Sequence, residues 1–340
     1  MQKILVTGFG GFIGYTLVQS LKNTFHTTAL DNFTTISNYD IKTARAAQLG
    51  ITDIDAFKAA GKIQNSNADF YYTDICDAAG LEKCFSGQQF DVIIHLAALT
   101  GVRQSLLNPQ AYIDSNVKGF INLLECANKY GIKNIIYASS SSVYGLNDKT
   151  PYTESQRTDS PISVYAASKK ADELLAHTYA HLYNINLIGL RFFTVFGPWT
   201  RPDMAAYIFM KAIEEQKPIS LFNEGKMVRD FTFVGDVVKS ITLLIDKIQE
   251  PGPVKNLIFN VGNHKPIYTI DFLNYIEEAM GHKALIENKP LQPGDMLATN
   301  ADCELLHTYT GYKPATPIQQ GITEMVTWYK SYRTKEANRL

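Results

Sequence analysis

Tyr165-Ala166-Ala167-Ser168-Lys169 sets a phenol and an ammonium four residues apart. On a helix that spacing puts both on one face. A free tyrosine titrates near ~10 and is a poor base at neutral pH, but a neighbouring positive charge favours its phenolate. Alone, such a pair is a common accident of a solvated helical face. Its weight comes from the upstream run Ala138-Ser139-Ser140-Ser141-Ser142-Val143-Tyr144-Gly145. An apolar strand leads into that run, and open α/β sheets keep their sites at the carboxyl ends of strands. If the strand continues, Ser140 and Ser142 alternate onto one side and both can face Tyr165. Hydroxyls, phenol and ammonium together can hold a substrate hydroxyl and remove its proton while hydride leaves the same carbon.

A hydride needs an acceptor, and the amino-terminal residues offer a place for one. Lys3–Thr7 reads as a strand and runs into Gly8-Phe9-Gly10-Gly11-Phe12-Ile13-Gly14. A helix follows, with Ile13, Leu17 and Leu21 as its apolar stripe. Because Ile stands at 13, the glycine spacing is GxxGxxG through Gly8, Gly11 and Gly14, and not GxGxxG. Glycines let the backbone approach a pyrophosphate seated on the helix amino terminus. Asp31 follows the second strand at a suitable distance. A carboxylate there accepts from both ribose hydroxyls and repels a 2′-phosphate, so the cofactor expected is NAD and not NADP. The positive nicotinamide ring adds to Lys169 in favouring a phenolate.

The elements that must position these residues alternate. Strands are expected at Thr27–Leu30, Phe70–Thr73, Asp91–Leu96, Lys133–Ser139 and Leu187–Phe193, with a long helix around Tyr112–Tyr130 and another at Tyr165–Tyr183. That order implies an α/β fold, a doubly wound parallel (Rossmann) sheet buried on both faces. After Gly197 the pattern loosens, and ten of the thirteen prolines lie there. We therefore expect residues 1–194 to form the dinucleotide-binding domain, with 236–262 returning to it. Residues 195–235 and 263–340 form a smaller carboxy-terminal α/β domain. The polar stretch Thr34–Asn67 is longer than a simple connection needs and reads as an insertion, with a helix at Tyr39–Leu49.

Composition sets outer bounds. With 340 residues, 32 Lys+Arg against 33 Asp+Glu and a net charge of −1, the chain has no global field to hold a nucleic acid. Its apolar runs are far short of a membrane span or a secretory leader. Cys76, Cys84, Cys126 and Cys303 have neither zinc nor CxxC spacing and suit free thiols in a reducing cytoplasm. His177 and His181 are four apart, but Thr178 replaces the Glu of HExxH, so no metal site is expected and a surface or interface role is.

The glycine spacing, serine cluster and YxxxK together resemble the short-chain dehydrogenase/reductase superfamily. The resemblance implies cofactor contacts from Gly8, Gly11, Phe12, Ile13 and Gly14, from Asp31 and Asn32, and from Asp74-Ile75 at the adenine. It implies others from Leu96-Ala97-Ala98, Asn116, Phe193, Tyr165 and Lys169, with Ser140 or Ser142 completing the catalytic set. The length is similar to the extended branch of nucleotide-sugar epimerases and dehydratases. Dehydratases of that branch carry Asp-Glu before the Val-Tyr-Gly, and UDP-glucuronate decarboxylases carry a Glu. This chain has Ser141-Ser142. Oxidation and re-reduction are provided for and elimination is not, which implies an epimerase.

Leu190–Met204 (LRFFTVFGPWTRPDM), Phe222-Asn223-Glu224-Gly225, Arg229-Asp230-Phe231, Gly101-Val102-Arg103 and the insertion residues Asn38-Tyr39-Asp40, Lys42 and Arg45 resemble the UDP-glucuronate 4-epimerase family over nearly the whole chain. Ser142 stands where several members have Thr, and Thr200 where many have Gly. The resemblance implies Phe222 on uracil, Arg229 on the diphosphate and Asp295 on the uridine ribose. Ser142, Thr194 and Arg201 fall near the sugar carboxylate, with Arg103 also substrate-facing. It further implies a homodimer through the helices near Tyr112–Tyr130 and Tyr165–Tyr183. Oxidising C4 of a glucuronate gives a β-keto acid prone to lose CO₂, so the carboxylate must be held out of line, and we expect neutral hydroxyls to hold it. Two other readings share these motifs: an epimerase for UDP-glucose/galactose or an N-acetyl form, and a non-catalytic NAD-binding relative. The second typically lacks the Tyr or the Lys, both present here.

Overall fold

Ile4, Leu5 and Val6 are apolar, two of them β-branched, and wholly buried, so the first strand lies at the middle of the sheet. The computed structural model describes residues 1–34, 39–66, 68–291 and 296–337. Asn38 and Asp295 lie outside the described residues. The chain runs β1 (Lys3–Thr7), α1 (Phe12–Leu21), β2 (His26–Asp31), α2 (Tyr39–Gln48), α3 (Ile54–Ala60), β3 (Lys62–Gln64), β4 (Asp69–Tyr72), α4 (Ala78–Phe85) and β5 (Val92–His95). It continues through α5 (Val102–Leu107), α6 (Pro109–Tyr112), a π-helical turn (Ile113–Lys118), α7 (Gly119–Lys129), β6 (Asn134–Ser140), a 3₁₀ turn (Ser141–Tyr144), α8 (Val164–Tyr183) and β7 (Asn186–Phe192). The remainder is β8 (Thr194–Phe196), α9 (Ala205–Glu214), β9 (Pro218–Phe222), β10 (Val228–Arg229), β11 (Phe231–Phe233), α10 (Val234–Lys247), β12 (Asn256–Val261), β13 (Ile267–Tyr268), α11 (Thr269–Met280), β14 (Leu285–Lys289), α12 (Glu304–Thr310) and α13 (Ile318–Ala337).

The main sheet has eight strands in the order β12-β7-β6-β5-β1-β2-β4-β3. β1 pairs parallel with both β2 and β5, Val6 standing level with Ala29 and Ile94. The winding reverses on either side of β1, so a crevice opens at its carboxyl end, where the glycines begin. Leu5, Ile93, Ile135 and Leu187 of the sheet pack with Phe120, Leu123 and Leu124 of α7 and Ala176 and Tyr179 of α8 in one core.

Three local departures from the sequence expectation have physical causes. The sheet is not wholly parallel: β3 pairs antiparallel with β4 at the edge. The helix expected over Tyr112–Tyr130 is interrupted by the π-helical turn, which contains the buried Asn116. The insertion builds α2, α3 and β3. Asp53 caps α3 by accepting from Ala56 N at 2.9 Å, and Gly61, at φ 69°, ends it in the left-handed region.

Two compact units divide the chain. The first comprises Met1–Asp148, Glu154–Phe192 and Val238–Phe259, and the second Lys149–Thr153, Phe193–Val237 and Asn260–Leu340. The first span was expected to be continuous to residue 194, with the return at 236–262. Lys149–Thr153 instead groups with the second unit, because Tyr152 donates its N–H to Asn300 O at 2.7 Å and Asn260 Nδ2 donates to Tyr152 O at 2.8 Å. Phe193 and Thr194 join the second unit, Phe193 donating its N–H to Val261 O at 3.1 Å and Thr194 donating its own to Asp230 O at 3.1 Å. In that unit β8 pairs with β11, β9 with β14 and β10 with β13, and Phe231 stacks on Phe272 of α11 with centroids 3.9 Å apart. Among the described residues no helix is long and apolar enough to cross a membrane.

Candidate active site

The glycine turn is built so that side chains cannot enter it. Gly8 has φ 82°, and a Cβ there would meet Ala97 N at 2.7 Å. A Cβ on Gly14 would lie 2.1 Å from Gly8 O. α1 therefore starts at Phe12 against the turn, and Gly11 at its amino cap offers no side-chain acceptor. Amide donors with no capping side chain and no acid in the first turn form an anion seat. The cradle fits a dinucleotide pyrophosphate.

Asp31 closes the other side of the turn, accepting from Gly10 N at 3.0 Å and from Phe33 N at 2.7 Å. The insertion braces the same place. Arg45 of α2 is buried and donates to Gly10 O at 2.7 Å, and Lys42 Nζ lies 3.8 Å from Asp31. Asn32 Nδ2 donates to Asp74 Oδ2 at 2.9 Å, and Asp74 Oδ1 accepts from Cys76 N at 2.8 Å. A groove of about 840 Å³ runs beside this pair, with Phe33, Lys58, Tyr72 and Lys83 also on its walls. Ile75 is buried, and its carbonyl accepts from Asn122 Nδ2 at 2.9 Å. Burial pushes the Cys76 thiol up to about 12, so it stays a thiol.

Past β5, the half-buried Leu96, Ala97 and Ala98 leave the sheet. Thr7 Oγ1 accepts from Leu96 N at 3.2 Å and Ala97 N at 3.1 Å and bonds His95 Nδ1 at 2.8 Å. Asn116 grips Leu99 at both its N–H (2.8 Å) and its carbonyl (3.0 Å), and donates to Ser168 Oγ at 2.9 Å. It thereby ties the loop after β5 to the helix that carries Tyr165.

The serine cluster differs from expectation. The strand ends at Ser140 and does not carry Ser142 onto the same face by pleating. Ser140 Oγ caps the 3₁₀ turn by accepting from Ser142 N at 3.1 Å, and Ser142 Oγ bonds it at 2.9 Å. Turn chemistry brings the two hydroxyls together, and the turn packs on α8. Ser139 is committed elsewhere, donating to Glu173 Oε1 at 2.7 Å.

α8 starts where Ser163 caps it, accepting from Ala166 N at 3.1 Å. Tyr165 is half-buried, with its ring edge-on to Tyr112 at 6.2 Å. Lys169 is buried and donates to Asp172 Oδ2 at 2.9 Å. Burial raises the Asp172 carboxyl to about 6 against the attraction of Lys169. Glu173, one residue on, accepts from Arg191 Nε and Nη2 at 2.8 and 2.9 Å. Burial pushes Glu173 up, but Arg191, Ser139 and Lys170 outweigh it and hold the carboxyl below its usual value. Burial, reinforced by Lys169, drops His95 to about 3, so it is neutral. No motif in the sequence gives Asp172, Glu173, Arg191, Thr7 or His95 a role. The only signal for them was their place one turn from a motif or at a strand end.

The second unit holds the residues assigned to the nucleotide sugar. Phe193 is buried. Half-buried Thr194 opens β8 and stands opposite Phe231. Arg201 forks onto Asp203 through Nε at 3.0 Å and Nη2 at 2.8 Å. Phe222 ends β9 opposite Lys289 of β14, and Arg229 lies on β10 opposite Ile267 and donates to Val228 O at 3.0 Å. Asp230, the other half of the Arg-Asp dipeptide, accepts from Asn263 N (2.6 Å), His264 N (3.0 Å) and Ala301 N (3.0 Å). Back in the first unit, Arg103 is exposed on α5, and His177 and His181 are exposed on α8.

The sequence model of the NAD dependent epimerase/dehydratase family matches residues 4–262. Protein CapI of Staphylococcus aureus is 41% identical, covering 98% of this chain and 100% of its own. UDP-glucuronate 4-epimerase 4 of Arabidopsis thaliana is 40% identical over 97% of this chain and 75% of its own. The crystal structure of UDP-glucuronic acid 4-epimerase from Bacillus cereus, in complex with UDP-glucuronic acid and NAD, superposes with a TM-score of 0.86 at 29% identity, covering 97% of this chain and all of that one.

Proposed function

The chain belongs to the NAD dependent epimerase/dehydratase family, and on that premise we propose that it is a UDP-sugar 4-epimerase that interconverts UDP-glucuronate and UDP-galacturonate. The observation that carries this reading is the turn after β6. It holds the Ser140 and Ser142 hydroxyls in one bonded pair, bears no carboxylate, and packs on the helix that carries Tyr165 and Lys169. Such a site can move a proton on and off a hydroxyl but has no second base to eliminate water. The glucuronate preference is supported by the likeness to the Arabidopsis and Bacillus enzymes, each over 97% of this chain.

In this reading the Tyr165 phenolate takes the C4 hydroxyl proton, with Ser140 and Ser142 orienting that oxygen and Lys169 favouring the phenolate. Bound NAD⁺ supplies the chemistry of taking up the C4 hydride and handing it back. The glycine cradle, Asp31 with Asn32, and Asp74 with Ile75 would hold it at pyrophosphate, ribose and adenine. Between the two transfers the 4-keto sugar turns over, so hydride returns to the opposite face. Phe222 is assigned to uracil and Arg229 to the diphosphate, a planar five-donor cation being suited to it. Ser142, Thr194 and Arg201, the last paired with Asp203, stay assigned to the neighbourhood of the sugar carboxylate, and the neutral hydroxyls are the groups proposed to fix it. They restrain it against CO₂ loss without adding a base. We also assign a homodimer to α8 and the Ile113–Lys129 segment. Leu174 and Leu182 lie exposed on one stripe of α8 with His177 and His181, and Ile113 is exposed as well. Four cysteines outside any disulfide suit a cytoplasmic setting.

The test is to incubate the NAD-loaded protein with UDP-glucuronate and UDP-glucose separately and resolve the C4 epimers by chromatography. We expect UDP-galacturonate from the first, and a loss of ~10²–10⁴-fold in turnover for Tyr165→Phe. Conversion of UDP-glucose alone would sink the glucuronate assignment.

A further inference from the structure

We propose that Asp172 is a positioning residue of the reaction: it fixes the Lys169 ammonium inside the fold and, by offsetting its charge, sets how readily Tyr165 gives up its proton. The inference rests on the assignment of Tyr165 and Lys169 as the proton-handling pair.

Lys169 and Asp172 are each 1% exposed and 2.9 Å apart. They stand three residues apart on α8, so the helix itself sets the geometry. A buried ammonium requires a partner, and the carboxylate is the one the structure gives it. The pair is not closed in the way a structural ion pair is. Asp172 Oδ1 is buried and accepts no hydrogen bond. Two more buried polar atoms nearby are in the same position, Tyr137 OH on β6 and His95 Nε2 on β5. Tyr137 OH reaches over Gly189 of β7, where a Cβ would come within 2.6 Å of it. It lies in the field of both Glu173 and Asp172. An Asp with one oxygen on the lysine and the other unpaired is a costly arrangement for stability alone.

The charges around Asp172 are few and their states are fixed. On α8 they are Lys169 and Glu173. Glu173 is neutralised by Arg191 of β7. From β5, His95 faces Lys169 and is neutral. Thr7 Oγ1 already accepts two amides, so its O–H donates to His95 Nδ1 and the ring proton is assigned to Nε2. From β6 the group is Tyr137, a neutral phenol. From the π-helical turn, Asn116 carries no charge, while Arg103 on α5 and Glu125 on α7 are exposed. Above pH about 6, where Asp172 is ionised, the charge Tyr165 feels from this side is therefore Lys169 diminished by Asp172.

Removing the Asp172 charge leaves the full ammonium field on the phenol. The experiment measures kcat/KM against pH for the NAD-loaded enzyme, on whichever UDP-hexose it converts, in wild type, Asp172→Asn and Asp172→Glu. The substrate diphosphate has no titration in the range used. We expect the limb that rises with pH to move down by up to about 1 unit in Asp172→Asn, at or below the low end of the ~1–3 units a charge within ~4–6 Å produces, because Asp172 stands two helical turns from Tyr165. The glutamate variant should return it towards wild type. Asp172→Ser carries the same expectation should the asparagine variant fail to fold. A limb that superposes on wild type in the neutral variants, whatever their melting temperatures, overturns the proposal. Tyr165→Phe separates the two levels. If it retains turnover, the proton-handling assignment falls and this inference with it. If it is inactive while the limb stays unmoved, only the role of Asp172 falls.

Discussion

Two adjacent carboxylates on one helix, both buried, are treated in opposite ways. Glu173 faces the sheet and is saturated by a forked Arg191, by Ser139 and by Lys170. Asp172 has Lys169 on one oxygen and nothing on the other. The first is held below its ordinary titration range and the second is raised to about 6. Burial pushes both up. What differs is the number of donors. A closed network locks β7 to α8, whereas an open one leaves a charge that a nearby titrating group can feel.

The largest effect should come from breaking the closed side. Glu173→Gln strands the buried Arg191 guanidinium and is expected to cost about 3–5 kcal/mol in urea unfolding. Asp172→Asn also leaves a buried cation without its countercharge, but it should cost less, because one carboxylate oxygen has no bond to lose and the amide oxygen still accepts from Lys169. Equal losses would mean the two pairs are energetically alike and the contrast is only geometric.

A smaller effect sharpens the same contrast, and it lies in the acid dependence of stability. Glu173 is held below its ordinary 4.5, so its contribution is present above that pH and is lost as pH falls through its folded value. Asp172 is raised from 3.8 to about 6, so the folded state keeps a proton that the unfolded chain has released, and stability falls as pH rises from about 4 to 6. Subtracting each variant's stability profile from wild type should therefore give slopes of opposite sign, rising below 4.5 for Glu173→Gln and falling between 4 and 6 for Asp172→Asn. Slopes of the same sign would remove the distinction.

Much of the framework was legible because it is written in local patterns. Lys3–Thr7 forms the strand read from its apolar run, and the glycine spacing opens a helix as read. The buried strands fall within one or two residues of the runs that announced them. The resemblance to nucleotide-sugar epimerases rested on short motifs, and the family is the one found. What was not legible depends on neighbours distant in sequence. The π-helical turn looks like any other helical stretch until Asn116 is seen gripping Leu99 and Ser168. Lys62–Gln64 is too short and polar to announce an edge strand. Ser140 and Ser142 meet through a capped turn whose bonds no alternation rule contains. Arg45 reads as one cation of a polar insertion, yet it is buried against the glycine turn. Asp172 and Glu173 look alike in the sequence, and only the strands behind α8 tell them apart.

In the proposed reaction the C4 hydrogen leaves and returns within one active site, with inversion. The direct measurement is to supply UDP-glucuronate carrying deuterium at C4, in ordinary water, and to read the product by NMR and mass spectrometry. UDP-galacturonate with the deuterium still at C4 is the expected product if, as proposed, the same hydride is handed back to the opposite face. A galacturonate product whose C4 label has been exchanged for solvent hydrogen would contradict it.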